Sequence, residues 1–142
     1  MVQSPGNRRL RGNCLCGSIR YEVSDAFVFA ANCHCSACRR ATGAAFKPFA
    51  RIHGKELLVT QGEGNFLTFG NNQASDERCK TCGSLLFSRV ERGFVHVAMG
   101  TLVDSPSISP TDHIFVGSKA SWFTIADDLP QHHGHVERAQ PD

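Results

Sequence analysis

The seven cysteines constrain this chain most, because all of them fall in three short clusters. The clusters are the pair Cys14 and Cys16, the triple Cys33, Cys35 and Cys38, and the pair Cys79 and Cys82. Core packing does not explain three thiols within six residues, whereas these spacings are typical of metal chelation. The sequence therefore predicts two zinc ions per chain, in a compartment that keeps thiols reduced.

Length and charge narrow the class of protein further. A chain of 142 residues is most simply one domain. The net charge of +2 is too small to favour nucleic acid as a partner, and the basic residues form no stripe with interleaved aromatics. The sequence has no apolar run near the roughly 18 residues that cross a membrane. The first residues lack the apolar segment of a secretory signal, so we expect a cytoplasmic location.

Alternating apolar positions predict a mainly β domain over residues 12–130, with at most short helices. We expect strands over residues 12–23, 27–31, 49–52, 55–61, 65–69, 84–88, 94–99 and 113–116. The one plausible helix lies near residues 36–42, and residues 122–125 are ambiguous. We predict that residues 1–11 form a flexible arm and residues 131–142 a disordered tail whose three histidines are solvated.

Four of the cysteines are predicted to form one closed structural site. On an extended backbone, Cys14 and Cys16 point to the same side because they are two residues apart. Cys79 and Cys82 come from a single turn that ends in Gly83. Together they supply the four thiolates of a structural zinc site, which would cross-link an early strand to a late one.

The other three cysteines are predicted to form a second site with one position left over. Water or substrate fills that position in a catalytic zinc site, and we expect this arrangement here. The alternative is a closed structural site whose fourth ligand is His53, His96 or His113. His34 is a poor candidate because it alternates to the opposite side of the segment. A zinc ion with three thiolates suits the binding and activation of an incoming thiol.

Two arginines follow the triple directly. Arg39 and Arg40 could offset the negative charge of a three-thiolate zinc or bind a substrate carboxylate. A solvated pair of charges on a helix explains them equally well. Lys119 is a further candidate for a carboxylate contact.

The clusters and the residues that flank them resemble one family of zinc proteins. The segments that carry the resemblance are Gly12-x-Cys14-x-Cys16-Gly17, Cys33-His34-Cys35-Ser36-x-Cys38-Arg39-Arg40-x-Thr42-Gly43, Cys79-x-x-Cys82-Gly83-Ser84, Gly100-x-Leu102-x-Asp104, His113-Ile114 and Lys119-Ala120-x-Trp122. They resemble the glutathione-dependent formaldehyde-activating enzyme family, which also includes the centromere protein V type. The resemblance implies a β-tent fold of small antiparallel sheets built around two zinc ions.

The resemblance also implies an activity of the carbon–sulfur lyase type. In that family, formaldehyde is joined to the thiol of glutathione to give S-hydroxymethylglutathione. Carried onto this chain, the two pairs match the structural zinc and the triple matches the catalytic zinc. Cys33, Cys35 and Cys38 are then the catalytic residues.

Three hypotheses for function follow. The first is an enzyme, monomeric or homodimeric, that adds a small thiol such as glutathione to formaldehyde or a related aldehyde. The second is a non-catalytic binding module in which both zinc ions are structural. The third is a thiol-based switch that releases zinc on mild oxidation.

Overall fold

The structure is a computed structural model that describes residues 7–136 of the chain. Within this range the chain forms ten strands, one α-helix and several short 3-10 turns. The strands are β1 Arg9–Asn13, β2 Arg20–Ser24, β3 Phe29–Cys33, β4 Lys47–His53, β5 Leu57–Gln61, β6 Phe66–Gly70, β7 Ser75–Cys79, β8 Leu85–Arg89, β9 Phe94–Ala98 and β10 His113–Ile114. The helix, α1, is Ser36–Thr42.

The strands form two sheets. A three-stranded antiparallel sheet has the order β1-β2-β5, and a seven-stranded sheet has the order β10-β3-β4-β9-β8-β7-β6. All pairs in the larger sheet are antiparallel except β10 with β3. The prediction of a mainly β protein with small sheets and a single short helix is confirmed. Within residues 7–136, no helix has the length and apolar character needed to cross a membrane.

The main core lies between the two sheets. It is built from alternating apolar side chains on the facing sides of the strands, as expected for sheets with one buried face. Its fully buried members include Leu10, Tyr21, Val23, Ile52, Phe87 and Val97. Gly12 of β1 lies against the ring of Tyr21, and a Cβ atom there would lie 2.2 Å from Cζ of that ring. The opposite face of the larger sheet carries the side chains of Phe29, Arg51 and His96.

Helix α1 begins directly after the second cysteine of the triple. Cys35 is the N-cap, and its sulfur accepts a hydrogen bond from the backbone N–H of Cys38 at 3.2 Å. Gly43 ends the helix in the left-handed conformation, with φ of 65°. The predicted helix near residues 36–42 is confirmed, and its first turn fixes two of the three sulfurs.

The predicted strand over residues 12–23 is wrong in one respect. It is two strands, β1 and β2, joined by a turn over residues 14–17. The backbone N–H of Gly17 donates to the carbonyl of Cys14 at 3.2 Å, and Gly17 has a φ of 81°. The sulfurs of this pair therefore converge because the chain turns, and not because residues alternate along a strand.

The predicted arm and tail are both too long. Strand β1 begins at Arg9, and Arg8 pairs with the buried carboxylate of Asp25 at 2.8 Å. At the other end, the backbone N–H groups of Phe115 and Val116 donate to carbonyls within residues 131–136. The side chain of His132 contacts Asp112 at 2.8 Å, so this histidine is held rather than solvated. The remainder of the predicted arm and tail, residues 1–6 and 137–142, lies outside the described residues.

Candidate metal centres and the adjoining cavity

The first cysteine cluster has the geometry of a four-thiolate zinc site. The Sγ atoms of Cys14, Cys16, Cys79 and Cys82 all lie within 4.8 Å of one another. The Cys14–Cys16 and Cys16–Cys79 sulfur distances are 3.7 and 3.8 Å. Thiolates arranged tetrahedrally at about 2.3 Å from zinc lie about 3.8 Å apart, so the spacing fits this ion.

Backbone amides and hydroxyls hold these sulfurs in place. The N–H groups of Ile19 and Cys82 donate to the sulfurs of Cys14 and Cys79 at 3.3 and 3.4 Å. The hydroxyl of Ser84 is the largest cause that lowers the pKa of Cys82, to about 5. Donors aimed at sulfur stabilise the thiolate that a metal requires. The pKa is therefore lowered at Cys79 and Cys82, which favours the thiolate at these two positions, whereas the pKa of Cys16 is raised.

The second cluster has three sulfurs. Cys33 ends β3, Cys35 caps α1 and Cys38 lies in its first turn, and their sulfurs lie within 4.8 Å of one another. Hydrogen bonds from the thiols of Cys33 and Cys38, together with backbone amides, lower the pKa of Cys35 far below its usual value. Within residues 7–136, no other cysteine, histidine, aspartate or glutamate joins this group. All seven cysteines of the chain are free thiols.

The histidines considered as a fourth ligand lie elsewhere. Nδ1 of His113 contacts Nε2 of His34 at 2.8 Å, and Nε2 of His113 contacts the carboxylate of Asp127 at 2.9 Å. The ring of His53 packs on Phe94. His34 is fully buried, and its desolvation is the main cause that lowers its pKa to about 4. The side chain of His34 therefore points towards His113 and away from the three cysteines, as its alternate position along the extended segment predicts.

A buried lysine that the sequence analysis did not identify lies beside the three sulfurs. Lys47 is directly opposite Cys33 in the β3–β4 pairing and is 7% exposed. Its Nζ donates to the hydroxyl of Ser88 at 3.4 Å, and this hydroxyl donates to Asp76 at 2.6 Å. The neighbouring thiols raise the pKa of Cys38, and the charge of Lys47 opposes that effect. A fixed positive charge therefore faces the cluster that carries the negative charge.

A cavity of about 650 Å³ opens beside Cys35. Its floor is the polar face of the larger sheet, where the register places Phe29, Arg51 and His96 side by side on β3, β4 and β9. Phe49 and Phe115 add apolar walls, and the turn between β8 and β9 contributes Glu91 and Arg92. A volume of this size suits a small organic ligand, and the lining offers it both arginines and the thiol of Cys35.

The three cations proposed as substrate contacts do not line this cavity. Arg39 donates from Nε to the carbonyl of Ser118 at 3.1 Å, and Lys119 donates to the carbonyls of Ala120 and Phe123. Arg40 is exposed on α1. Among the described residues, the arginines that line the cavity are Arg51 and Arg92. Arg51 could have been found from the sequence, because it is two residues from Phe49 on a predicted strand and so lies on the same face. No local sequence pattern indicates that Arg92 lines the cavity.

The burial of His96 leads to a prediction about acid stability. Desolvation, followed by the charges of Lys47 and Arg51, lowers the pKa of His96 to about 3. Because the pKa of His96 is lower in the folded state, protonation favours the unfolded state. The free energy of unfolding is therefore fully present above the unfolded pKa of about 6.5 and decreases as the pH falls towards 3. We expect zinc-loaded protein to lose up to about 2 kcal/mol more unfolding free energy between pH 7 and 5 than a His96→Phe variant does.

Urea unfolding of both proteins at the two pH values measures this difference. Zinc release at low pH affects both proteins, so it cancels in the comparison. Equal losses in the two proteins would contradict the assignment of a buried neutral imidazole.

The fold is that of a small β protein with two sheets. It carries a four-cysteine and a three-cysteine cluster, and each of them could hold a metal ion. The profile described as glutathione-dependent formaldehyde-activating enzyme matches residues 9–118, which is more than half of the chain. The chain therefore belongs to that family, as its cysteine pattern predicts.

The solved structures that are similar to this chain include that of a bacterial protein. It is the crystal structure of a Rhodobacter sphaeroides protein from a structural genomics programme, with a TM-score of 0.56 and 26% sequence identity. The match covers 70% of this chain and 97% of that protein. No curated protein matches this chain significantly.

Proposed function

We propose that this protein is a zinc-dependent enzyme of the carbon–sulfur lyase type that adds a small thiol to formaldehyde or a related aldehyde. One observation carries the proposal: the three-cysteine cluster has no fourth donor among the described residues, and one of its members, Cys35, lines a cavity of about 650 Å³. A purely structural zinc site needs four protein ligands and no cavity. Family membership supports glutathione as the thiol and formaldehyde as the aldehyde.

In this proposal two zinc ions bind per chain, one to each cluster. Cys14, Cys16, Cys79 and Cys82 hold the structural ion, and Cys33, Cys35 and Cys38 hold the catalytic one. Thiolates are preferred zinc ligands, and the spacing of the first cluster fits the ion. When bound by three thiolates, zinc supplies a Lewis acid that keeps a further thiol deprotonated near neutral pH.

The protein groups around the cavity then orient the two substrates. Lys47 offsets the negative charge of the thiolates, and Arg51 and Arg92 bind a carboxylate of the thiol substrate. The thiol proton passes to water, the sulfur lone pair forms the new carbon–sulfur bond, and the carbonyl π electrons move to oxygen. Water returns a proton to that oxygen. The product is a hemithioacetal, and nothing is oxidised or reduced.

The test is the rate of adduct formation. Formaldehyde and glutathione combine spontaneously, so exchange between free and adduct formaldehyde is measured by NMR with and without zinc-loaded protein. We expect faster exchange with the native protein and no acceleration with a Cys38→Ser variant. Identical rates with and without protein, across several thiols and aldehydes, would reject the enzymatic reading and favour the non-catalytic binding module.

A second expected result concerns Arg92. Replacing this arginine with glutamine removes a cation from the cavity wall, so binding of an anionic thiol should weaken. We expect KM for glutathione to rise about tenfold with little change in kcat, the range of one charge-assisted hydrogen bond.

Arg89→Gln is the matched control, because Arg89 is exposed on β8 and outside the cavity lining. Unchanged KM in the Arg92 variant would contradict the role of Arg92 and leave Arg51 as the one arginine of the described cavity lining that could bind the carboxylate.

The free thiols fit a reducing compartment, and we propose the cytoplasm. We also propose that the protein is a monomer or homodimer that acts on small molecules and binds neither nucleic acid nor membrane.

A further inference from the structure

The imidazole of His96 is held rigidly in the floor of the cavity. Its ring stacks on Phe49 with a centroid distance of 4.3 Å and an angle of 24° between the planes. On β9 it lies between Arg51 of β4 and Ser88 of β8 in the sheet register. The stacking on Phe49 sets the plane of the ring, and His96 lines the same cavity as Cys35.

The contact with Arg51 determines where the proton of this imidazole sits. Nη1 of Arg51 lies 3.0 Å from Nε2 of His96. A guanidinium only donates hydrogen bonds, so Nε2 is the acceptor and the neutral ring carries its proton on Nδ1. Within residues 7–136, no hydrogen bond to Nδ1 is found, and Nδ1 is not one of the buried side-chain atoms that lack a partner, so it retains some exposure. Because His96 lines the cavity, this N–H is a donor near the cavity that the described residues do not use.

The surroundings of the ring keep it neutral. Burial is the largest cause that lowers the pKa of His96, and the charges of Lys47, Arg51 and His135 act in the same direction. Ser88 faces it from β8 without charge, and Glu91 and Arg92 line the same cavity from the neighbouring turn. A neutral imidazole can polarise a carbonyl through its N–H without giving up the proton.

We propose that His96 is a catalytic residue whose Nδ1–H donates a hydrogen bond to the aldehyde oxygen as the thiolate adds. The inference rests on the proposed function and names a group that serves it. The sulfur lone pair forms the carbon–sulfur bond while the carbonyl π electrons move onto oxygen, where negative charge develops. The Nδ1–H bond stabilises that charge and stays intact, and water supplies the proton of the hydroxyl product.

Arg51 and Phe49 act as positioning residues in this scheme. Arg51 selects the tautomer, because it occupies Nε2 and leaves the proton on Nδ1. Phe49 sets the plane of the ring. Donors that are fixed before the reaction stabilise developing charge without reorganisation, and the loss of one such donor typically lowers kcat by about 10²–10³-fold.

The kinetic test compares three variants. His96→Phe keeps an aromatic ring over Phe49 but removes the N–H, and we expect kcat to fall about 100-fold with KM for glutathione changed less than about threefold. His96→Gln restores a side-chain N–H and should recover about tenfold of that loss. His53→Phe is the matched control, since His53 also packs on a phenylalanine but lies outside the cavity lining.

Zinc content is measured on every variant. Two ions per chain throughout would exclude a ligand role for His96. A kcat for His96→Phe within about threefold of the native value, or loss of one zinc ion, would overturn the inference while leaving the proposed function intact. No acceleration by the native protein would overturn both.

A measurement without turnover tests the tautomer directly. The ¹⁵N shifts of the His96 ring, in metal-free and zinc-loaded native protein, distinguish the three protonation states of the imidazole. We expect a neutral ring with the proton on Nδ1 from about pH 8 down to about pH 5. A proton on Nε2, or a cationic ring at about pH 6, would overturn the inference even in an active enzyme.

Discussion

Replacing Cys79 with serine is expected to unfold the protein at room temperature. Cys79 is 1% exposed at the end of β7, and its sulfur lies 3.8 Å from that of Cys16, 63 residues earlier in the chain. A structural zinc site contributes about 10–16 kcal/mol in small zinc domains, whereas the net stability of a domain is only about 5–15 kcal/mol. Serine is a poor zinc ligand, so most of this contribution is lost.

Far-UV circular dichroism and metal analysis measure the outcome. We expect the β-sheet signal to collapse and the zinc content to fall well below two ions per chain. The matched control is Cys38→Ser, which makes the same chemical change in the other cluster and should remain folded. A Cys79→Ser protein whose Tm is within about 3 °C of the native value would contradict the structural role of the four-cysteine site.

The second large effect is the loss of activity in Cys38→Ser. Cys38 supplies one of three sulfurs to the proposed catalytic zinc, and two remaining thiolates hold zinc weakly. We expect one zinc ion per chain to be retained and the catalysed exchange between formaldehyde and glutathione to fall at least about 10³-fold. The β-sheet spectrum should be unchanged, because α1 has no fully buried residue.

Ala37→Ser is a suitable control for that variant. It places the same side chain one position earlier, where α1 is exposed, and leaves all three sulfurs of the cluster in place. Native activity in Cys38→Ser, with two zinc ions still bound, would contradict the assignment of the three-cysteine cluster as the catalytic site.

The cysteine clusters and the helix between residues 36 and 42 could be predicted because their signals are local. Cys35 and Gly43 bracket the helix as cap residues, and each metal cluster combines short chelating spacings. The division of seven sulfurs into four and three also follows from their spacing, and the structure groups them in that way.

The cavity could not be predicted, because it depends on the register between strands. Phe29, Arg51 and His96 come from three strands that are far apart in sequence and meet only through pairing. The turn at residues 14–17 was missed because Cys14 and Cys16 fit an alternating pattern equally well. The ordered structure of residues 131–136 could not be predicted, because it depends on distant contacts such as that of His132 with Asp112, which composition does not reveal.

X-ray absorption of freshly purified, untagged protein, combined with a zinc count, tests the central claim most directly. We predict two zinc ions per chain, with one surrounded by four sulfurs and the other by three sulfurs and one oxygen or nitrogen atom from water or buffer. Addition of glutathione should convert the second site to four sulfurs. Four protein ligands at both ions, or no zinc and cysteines linked to one another, would contradict the account.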